Sequence, residues 1–224
     1  MEEAVNDALK TTLAAWGLEL GPAAERRLGI FAGELLEKNS MMNLVSKNDE
    51  PLLWERHILD SLAGALLLRR LVKPGGTIAD AGSGAGFPGL VLAAVLEEFR
   101  FELLDSRGKR CDFLGLAAAS MLAGNVAVFQ RRVGEGGPGA ETRYAAVIER
   151  AMGQLENILP QCLNILSGGG CFLAWQSGAQ LAKGRPAVDA ALKKAGGELL
   201  ENFTYRLPGE ETDRHILVFR KRQR

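Results

Sequence analysis

Residues 80–89 read Asp-Ala-Gly-Ser-Gly-Ala-Gly-Phe-Pro-Gly, with four glycines in ten positions. An apolar, strand-like run, Thr77–Ala81, leads into the glycines, and a helical pattern begins near Gly89. At a turn from strand to helix, glycines let the backbone approach a ligand closely. Open α/β sheets bind ligands in the crevice at the carboxyl ends of their strands. The stretch therefore predicts an α/β fold with a ligand site at this turn.

Two nucleotide ligands fit this loop. Residues 84–89 satisfy the dinucleotide pattern G-x-G-x-x-G, which predicts an NAD(P)-dependent oxidoreductase. An acid followed by alternate glycines is instead typical of S-adenosylmethionine enzymes, and here the frame is Asp80, Gly82, Gly84 and Gly86. The carboxylate of Asp80 can attract the amino group of that ligand, directly or through water. Asp105, at the end of the next strand, can accept ribose hydroxyls of either ligand, so only Asp80 distinguishes the two.

A third interpretation is a hydrolase. Residues 81–85 resemble a nucleophile elbow, and the order Ser83, Asp189, His215 suits a catalytic triad. Asp189, however, lies within a predicted helix, and the acid beside Ser83 has no part in that chemistry. The pattern therefore favours a nucleotide site over a hydrolase, and over a glycine turn that binds nothing.

The spacing of apolar residues changes at the helix-breaking sequence Lys73–Gly76, which precedes this loop. Before the breaker, apolar residues recur at helical spacing. Those helices are predicted at 3–16, 22–38 and 51–71. After it, strand-like runs alternate with helices, which is typical of βαβ units and a mostly parallel sheet. Those later helices are predicted at 89–98, 107–123, 154–166 and 186–195.

The end of the chain departs from this alternation. Glu198–Leu207 and His215–Arg220 are strand-like runs with no helix between them, so they are expected to pair antiparallel. A mostly parallel, Rossmann-like sheet of seven strands that ends in an antiparallel hairpin is the class I methyltransferase architecture. We expect an N-terminal helical extension, 1–73, and a methyltransferase domain, 74–224, packed as one unit.

Composition restricts the class of protein. The 224 residues are 47% hydrophobic and carry 27 basic and 27 acidic side chains. These proportions are typical of a globular protein and exclude collagen and acidic disordered chains. No uncharged apolar run reaches the roughly 18 residues of a membrane span, and no signal peptide is recognisable. Three cysteines and two histidines lack metal-ligand spacing. We expect a cytoplasmic monomer without a metal ion.

Several motifs together resemble the RsmG (GidB) family of bacterial small-subunit rRNA methyltransferases. The similarity extends from about residue 40 to about residue 220. Its most specific parts are the Arg-His-Ile-Leu-Asp-Ser block at 56–61 and the Gly-Phe-Pro-Gly ending of the loop. The other matching stretches are Asn43–Ser46, Leu103–Ser106 with Lys109 and Arg110, Arg150-Ala151, and Arg214-His215.

The resemblance implies methyl transfer from S-adenosylmethionine to N7 of one guanine in a decoding-region loop of 16S rRNA. It also implies the cofactor contacts, which are Gly82, Phe87, Asp105, Val133, Gly134 and Arg150. Phe87 is expected beside the ligand, because a glycine loop places an aromatic poorly for the core. Guanine N7 has a lone pair and no proton, so no catalytic acid or base is assigned.

Two positions depart from the family pattern. Gly134 stands where the family usually has an acid, although its neighbour Glu135 is acidic. Gln176 stands where the family often has a lysine. These departures leave a further alternative open, an RNA-binding module whose cofactor site has decayed.

The distribution of charge along the chain predicts where RNA binds. Residues 1–55 carry a net charge of −5, whereas 100–132 carry +3, and 214–224 hold five bases and no acid. A phosphate-binding surface beside the crevice is therefore predicted from Lys109, Arg110, Arg131, Arg132 and the tail with Arg214. The partner would be 16S rRNA or the small ribosomal subunit.

The 56–61 block allows two interpretations. On a helix, His57 shares a face with Asp60 and Ser61. The block could hold cofactor or target guanosine at the mouth of the site, with Arg56, His57 and Asn43 as candidates. It could equally form an internal hydrogen-bond cluster between the extension and the sheet. Trp54 and Trp175 are expected in the core.

Overall fold

The computed structural model describes residues 7–135 and 144–222. Seven strands form a single sheet in the order β3-β2-β1-β4-β5-β7-β6. The strands are β1 Thr77–Ala81, β2 Arg100–Asp105, β3 Val126–Gln130, β4 Tyr144–Arg150, β5 Leu166–Ser177, β6 Gly197–Tyr205 and β7 Arg214–Lys221. The helices are α1 Asp7–Ala15, α2 Pro22–Met42, α3 Leu59–Leu62, α4 Ala65–Leu71, α5 Gly89–Val95, α6 Gly108–Ser120, α7 Leu155–Ile165 and α8 Gly178–Ala195.

Strand pairing confirms the predicted sheet. β1 pairs in parallel with β2 and β4, β2 with β3, and β4 with β5. β7 is antiparallel to both β5 and β6, so the final hairpin enters the sheet with its second strand innermost. The carboxyl ends of β1, β2 and β4 therefore lie at one edge, where ligands of such sheets bind.

Alternate residues of each strand face two separate apolar layers, because side chains of a strand point to opposite faces in turn. Ile78 packs in a layer with α2, α4, α5 and α6. Ala79 packs in the other layer with α7 and α8. The N-terminal helices thus cover the same face as α5, and helices lie on both faces, as predicted. Trp54 and Trp175 are buried in the first layer, which confirms their assignment to the core.

The predicted helix 51–71 is wrong as a single element. The chain instead forms a 3₁₀ turn at Glu50–Leu52, a π-helical segment at Leu53–Ile58, and then α3 and α4, which are separated at Gly64. A Cβ on Gly64 would lie only 2.5 Å from Cζ2 of Trp175. Close packing on the sheet therefore determines where this segment bends.

The other helices also differ in their bounds from those predicted, and α2 extends to Met42. Residues 3–6 of the first helix lie outside the described residues. The helix predicted at 89–98 ends at Val95, and the last one begins at Gly178 rather than 186. Ser177 and Gln180 form a capping box that starts α8, so Pro186 lies inside that helix. Within the described ranges, no helix is long and apolar enough to cross a membrane.

Candidate active site

The turn after β1 consists of glycines with backbone angles that other residues avoid. Gly82, Gly84 and Gly86 have φ of 70°, 57° and 95°, which glycine adopts at little cost. Space is also limiting, since a Cβ on Gly82 would lie 2.7 Å from Cγ of Met152. The Gly82 amide donates to the Leu104 carbonyl at 2.8 Å. The loop is therefore fastened to β2 and lies close to the turn that follows β4.

Asp80 lies beneath this loop. Its side chain is fully buried, and Oδ2 accepts a hydrogen bond from the Gly89 amide, at the start of α5, at 3.1 Å. Burial raises the pKa of the Asp80 carboxyl to about 7. The side chain thus ties the loop to α5. The direct contact with a ligand amino group is not offered by this arrangement, which leaves the contact through water.

Asp105 ends β2 and lines a cleft of about 520 Å³, here called the cofactor cleft. Oδ2 accepts from the Gly84 amide at 2.9 Å, and Oδ1 accepts from the Arg107 amide at 2.9 Å. A carboxylate has about four lone-pair sites, so it can still accept two hydroxyls. The two amide bonds hold this carboxylate at the cleft wall.

The rest of the cofactor cleft suits the adenosyl part of S-adenosylmethionine. Leu104, Val133 and Ile158 give it an apolar wall, and Gly82 gives it a backbone wall. Gly134 follows Val133 with a φ of 91°. A carboxylate for two sugar hydroxyls beside an apolar wall for a base is the donor and acceptor set that this cofactor needs.

Phe87 corrects one expectation, because its side chain belongs to the core. It is 5% exposed, and its ring lies 5.3 Å from Phe31 and 5.1 Å from His57, centroid to centroid. The Arg150 guanidinium lies over the same ring at 4.9 Å. The tight turn directs the aromatic inward between α2 and the sheet, so Phe87 supports the site from below.

Asp60 is the centre of a buried ionic cluster between the N-terminal helices and the sheet. Oδ2 binds Arg150 Nη1 at 2.8 Å, and Oδ1 binds Arg214 Nη1 at 3.2 Å. The Tyr205 hydroxyl also donates to Oδ1, at 2.6 Å. The Asp60 carbonyl accepts from Trp175 Nε1 at 2.9 Å. Asp60 therefore forms the internal cluster that one interpretation of the 56–61 block predicts, whereas Arg56 and His57 also line an open space.

Arg214 forms ion pairs with two carboxylates. Besides Asp60, its guanidinium binds both carboxylate oxygens of Glu210, at 2.6 and 2.7 Å. Hydrogen bonding to Glu210 and the nearby negative charges raise the pKa of Arg214. Carboxylates thus accept from three of the five N–H groups of Arg214, and its contact with RNA phosphate stays a prediction.

His57 lies on the π-helical segment and is neutral. Arg150 Nη2 is 2.7 Å from Nδ1, and since arginine only donates, Nδ1 accepts and Nε2 bears the proton. Burial, followed by the charge of Arg150, lowers the pKa of His57 to about 4. Nε2 is buried and has no hydrogen-bond partner among the described residues. Its nearest carboxylate oxygen, Oδ2 of Asp49, is 3.9 Å away.

A second space of about 300 Å³, here called the target pocket, opens beside the cofactor cleft. Its wall includes Arg56, His57, Arg150 and Gln176, and it shares Ala151 with the cofactor cleft. Ala151 has a φ of 61°, a conformation in which non-glycine residues cluster at functional sites. The two spaces thus meet at the turn after β4. Asn43, which caps α2 with a φ of 49°, lines neither space.

Glu149 is a site residue to which the sequence analysis assigned no role. It is fully buried, and its Oε2 accepts from the Met152 amide at 3.2 Å. Burial raises the pKa of Glu149 to about 8, so it is largely protonated at neutral pH. It holds the turn that carries Ala151. An acid at the end of β4, as at the ends of β1 and β2, is the signal that could have identified it.

The predicted basic surface divides into two. Arg110, Arg131 and Arg132 line the cofactor cleft, and Lys109 is exposed nearby on α6. The tail does not join them, because β7 runs antiparallel to β5 and carries Arg220 to the Cys171 end of that strand. That end is the opposite edge of the sheet. The single continuous surface is therefore wrong, and Arg224 lies outside the described residues.

The hydrolase alternative is also wrong. Ser83 Oγ donates to the Asp80 carbonyl at 3.0 Å. Asp189 pairs with Arg185 on α8 at 3.2 Å, and His215 contacts Asn202 on β6 at 3.1 Å. The three triad candidates thus have three separate sets of partners.

Comparison with known proteins identifies the family of this chain. The GidB family model, described as rRNA small subunit methyltransferase G, matches residues 24–203. Ribosomal RNA small subunit methyltransferase G of Alkaliphilus oremlandii is 32% identical over 219 residues, 97% of this chain and 90% of that protein. The protein of the same name from Exiguobacterium sibiricum is 31% identical over 215 residues, 95% of this chain and 89% of that one.

Solved structures agree on the fold. The S-adenosylmethionine-dependent O-methyltransferase of Thermotoga maritima is 21% identical and superposes with a TM-score of 0.54, covering 85% of this chain and 71% of that one. The family model matches most of the chain. The relatives align along nearly all of it, and the fold is shared. These three findings identify the family. The chain belongs to the GidB family of S-adenosylmethionine-dependent rRNA small subunit methyltransferases.

Proposed function

We propose that this chain transfers the methyl group of S-adenosylmethionine to N7 of one guanine in 16S rRNA. The observation that carries the proposal is the meeting of two spaces at Ala151, one lined by the Asp105 carboxylate and the other rich in donors. A donor molecule in the first and a base in the second would face each other across this turn. Membership of a methyltransferase family argues against the oxidoreductase alternative.

The cofactor side of this proposal assigns roles to residues of the cleft. Asp105 accepts the ribose hydroxyls, and the backbone at Gly82 and Val133-Gly134 lines the adenosyl group. Asp80 and Phe87 hold the loop in place from below, through the Gly89 amide and the α2 face. Arg150 acts through its contacts with His57 and Asp60, which fix the strand end before Ala151. S-adenosylmethionine supplies an activated methyl group.

The target side needs alignment rather than proton transfer. Guanine N7 has no proton to remove, so the chain contributes orientation and exclusion of water. In the described part of the chain the Nε2–H of His57 has no acceptor, and the O6 atom of guanine, next to N7, is an acceptor. Adenine presents an amino group at this position, and two donors would then oppose each other. His57 thus favours guanine, and a neutral His57 is the form that the fold imposes.

The test is a cofactor and methylation measurement on Asp105→Asn, with Asp112→Asn, an exposed acid on α6, as the matched control. We expect Asp105→Asn to weaken S-adenosylmethionine binding at least tenfold in calorimetry, because the amide accepts fewer hydrogen bonds than the carboxylate. Wild type and the control should form 7-methylguanosine on small subunits from cells that lack this chain, as detected by mass spectrometry. Labelled methyl on any other base, or undiminished affinity in Asp105→Asn, would contradict the proposal.

Further proposals concern the whole protein. It acts in the cytoplasm, where 16S rRNA lies, and its three cysteines carry free thiols. The reaction requires no metal ion, since N7 is already nucleophilic. Residues 1–73 and 74–224 form one folding unit, because one apolar layer contains buried residues of both. The folded chain acts as a monomer. Sedimentation equilibrium and a single unfolding transition check these last two statements.

A further inference from the structure

In the wall of the cofactor cleft, the side chain of Gln161 fills the space beside Gly134. Gly134, in the turn after β3, has no side chain. A Cβ placed there would lie 2.7 Å from Oε1, 2.9 Å from Cδ and 3.0 Å from Cγ of Gln161. The amide of Gln161, from α7 on the next layer, therefore occupies the space that a side chain at position 134 would fill, and it lines the cofactor cleft.

The orientation of this amide is fixed by one hydrogen bond. Gln161 Nε2 is 3.2 Å from the Asn157 carbonyl, one helical turn back. A carbonyl only accepts, so the atom that faces it is the NH₂ group, and the other atom is the oxygen. Oε1 is thus a directed acceptor, and no donor to it is seen among residues 7–135 and 144–222.

The acid nearest in sequence faces elsewhere. Glu135 follows Gly134 but pairs with Arg132 at 3.5 Å, and both of those side chains are 69% exposed. Gln161 instead lines the cleft beside Val133 and Ile158, the apolar wall for a base. The acceptor available to a base in this cleft therefore comes from α7 and not from the turn after β3.

We propose that Gln161 is the specificity-determining residue for the base of the methyl donor, with its Oε1 accepting a hydrogen bond from the 6-amino group of adenine. A purine with oxygen at position 6 would place an acceptor against this acceptor and leave the amide oxygen unpaired. The proposal rests on the proposed function, because it requires the adenosyl group to lie in the cofactor cleft.

The test compares S-adenosylhomocysteine with S-inosylhomocysteine, its 6-oxo analogue, which differs at position 6 and in the proton on the adjacent N1. By calorimetry, wild type should prefer the adenine ligand about tenfold, the effect of one hydrogen bond gained or lost. Gln161→Leu, similar in size but without an acceptor, should bind both within about twofold of each other. Gln161→Glu, which keeps an acceptor, should retain the preference. Gln130→Leu, an exposed glutamine on β3, is the matched control and should behave as wild type.

The outcomes separate the inference from the function on which it rests. If wild type binds neither ligand, the proposed function fails. If wild type binds both equally, or Gln161→Leu keeps the full preference, the proposed function stands and the role of Gln161 is overturned. Should Gln161→Leu fail to fold, Gln161→Glu decides, because loss of the preference in that folded variant also overturns the inference.

Discussion

Two buried acids of this site, Asp60 and Glu149, differ in the partners of their carboxyl groups. Asp60 is 2% exposed, and its carboxylate pairs with two arginines and accepts a hydrogen bond from a tyrosine. Breaking such a buried pair typically costs about 3–5 kcal/mol, because a charge is left uncompensated. Glu149 has no cationic partner within residues 7–135 and 144–222, and burial raises its pKa and so favours its neutral form. One buried carboxyl of the site is therefore held in ion pairs, whereas burial raises the pKa of the other.

Glu149→Gln should make stability less dependent on pH. The folded state raises the pKa of Glu149 from 4.5 to about 8, so it binds the proton more tightly than the unfolded chain does. The stability from this group is complete below pH 4.5 and is lost as pH rises towards 8. The difference in unfolding free energy, wild type minus variant, should fall by up to about 1.4 kcal/mol per pH unit in that window.

Urea unfolding at pH 6, 7 and 8 measures this difference. The exposed Glu211→Gln should parallel wild type at each pH. A constant difference between wild type and Glu149→Gln over these three values would show that Glu149 does not change ionisation on folding.

Secondary-structure elements position the site through close contacts between backbones and rings. The segment from the 3₁₀ turn to α4 carries His57 and Asp60, and its place on the sheet depends on the approach of Gly64 to Trp175. The π-helical segment Leu53–Ile58 accommodates an extra residue per turn, a feature that is frequent at functional sites. The site therefore depends on how this segment docks as well as on its sequence.

Gly64→Ala should destabilise the protein by about 1–3 kcal/mol, the usual cost of overpacking a core. The added Cβ would overlap the Trp175 ring, 2.5 Å from Cζ2. Gly29→Ala in α2 is the matched control, because no atom lies within 4 Å of its added Cβ. That control should stabilise by about 0.5–1 kcal/mol through helix propensity. Thermal unfolding of both variants decides, and equal melting temperatures would contradict the packing argument.

For the whole molecule, the zero net charge conceals an uneven distribution. Arg107, Arg110 and Arg132 line the cofactor cleft with Lys109 beside them. Arg220 and Lys221 of the tail lie at the opposite edge of the sheet, so they do not strengthen this patch. A small cationic patch at one edge suits a protein that binds one site and releases it, since long-range attraction stays modest.

Lys109→Ala should weaken RNA binding uniformly across sequences and lower the salt dependence of binding by about one phosphate contact. Fluorescence anisotropy with a 16S rRNA fragment from 50 to 200 mM salt measures both effects. Lys193→Ala is the control. Lys193 lies in the last turn of α8, and this helix begins at the edge of the sheet that carries the site and ends at the opposite edge. If the two variants lose affinity and salt dependence equally, the patch at the site edge has no special role.

The sequence by itself determined the alternation of strands and helices, the final hairpin, the glycine turn and the acids Asp80 and Asp105. These features follow from the local spacing of apolar residues and from the backbone freedom of glycine, and both are properties of short stretches of the chain. Only the tertiary structure decided that Phe87 lies in the core, that Arg214 is neutralised by Glu210 and Asp60, and that the tail leaves the basic patch. It also brought Gln161 and Glu149 into the site. Each of these depends on which distant residues share a buried space, and pairing across a sheet is not encoded in any short stretch of the chain.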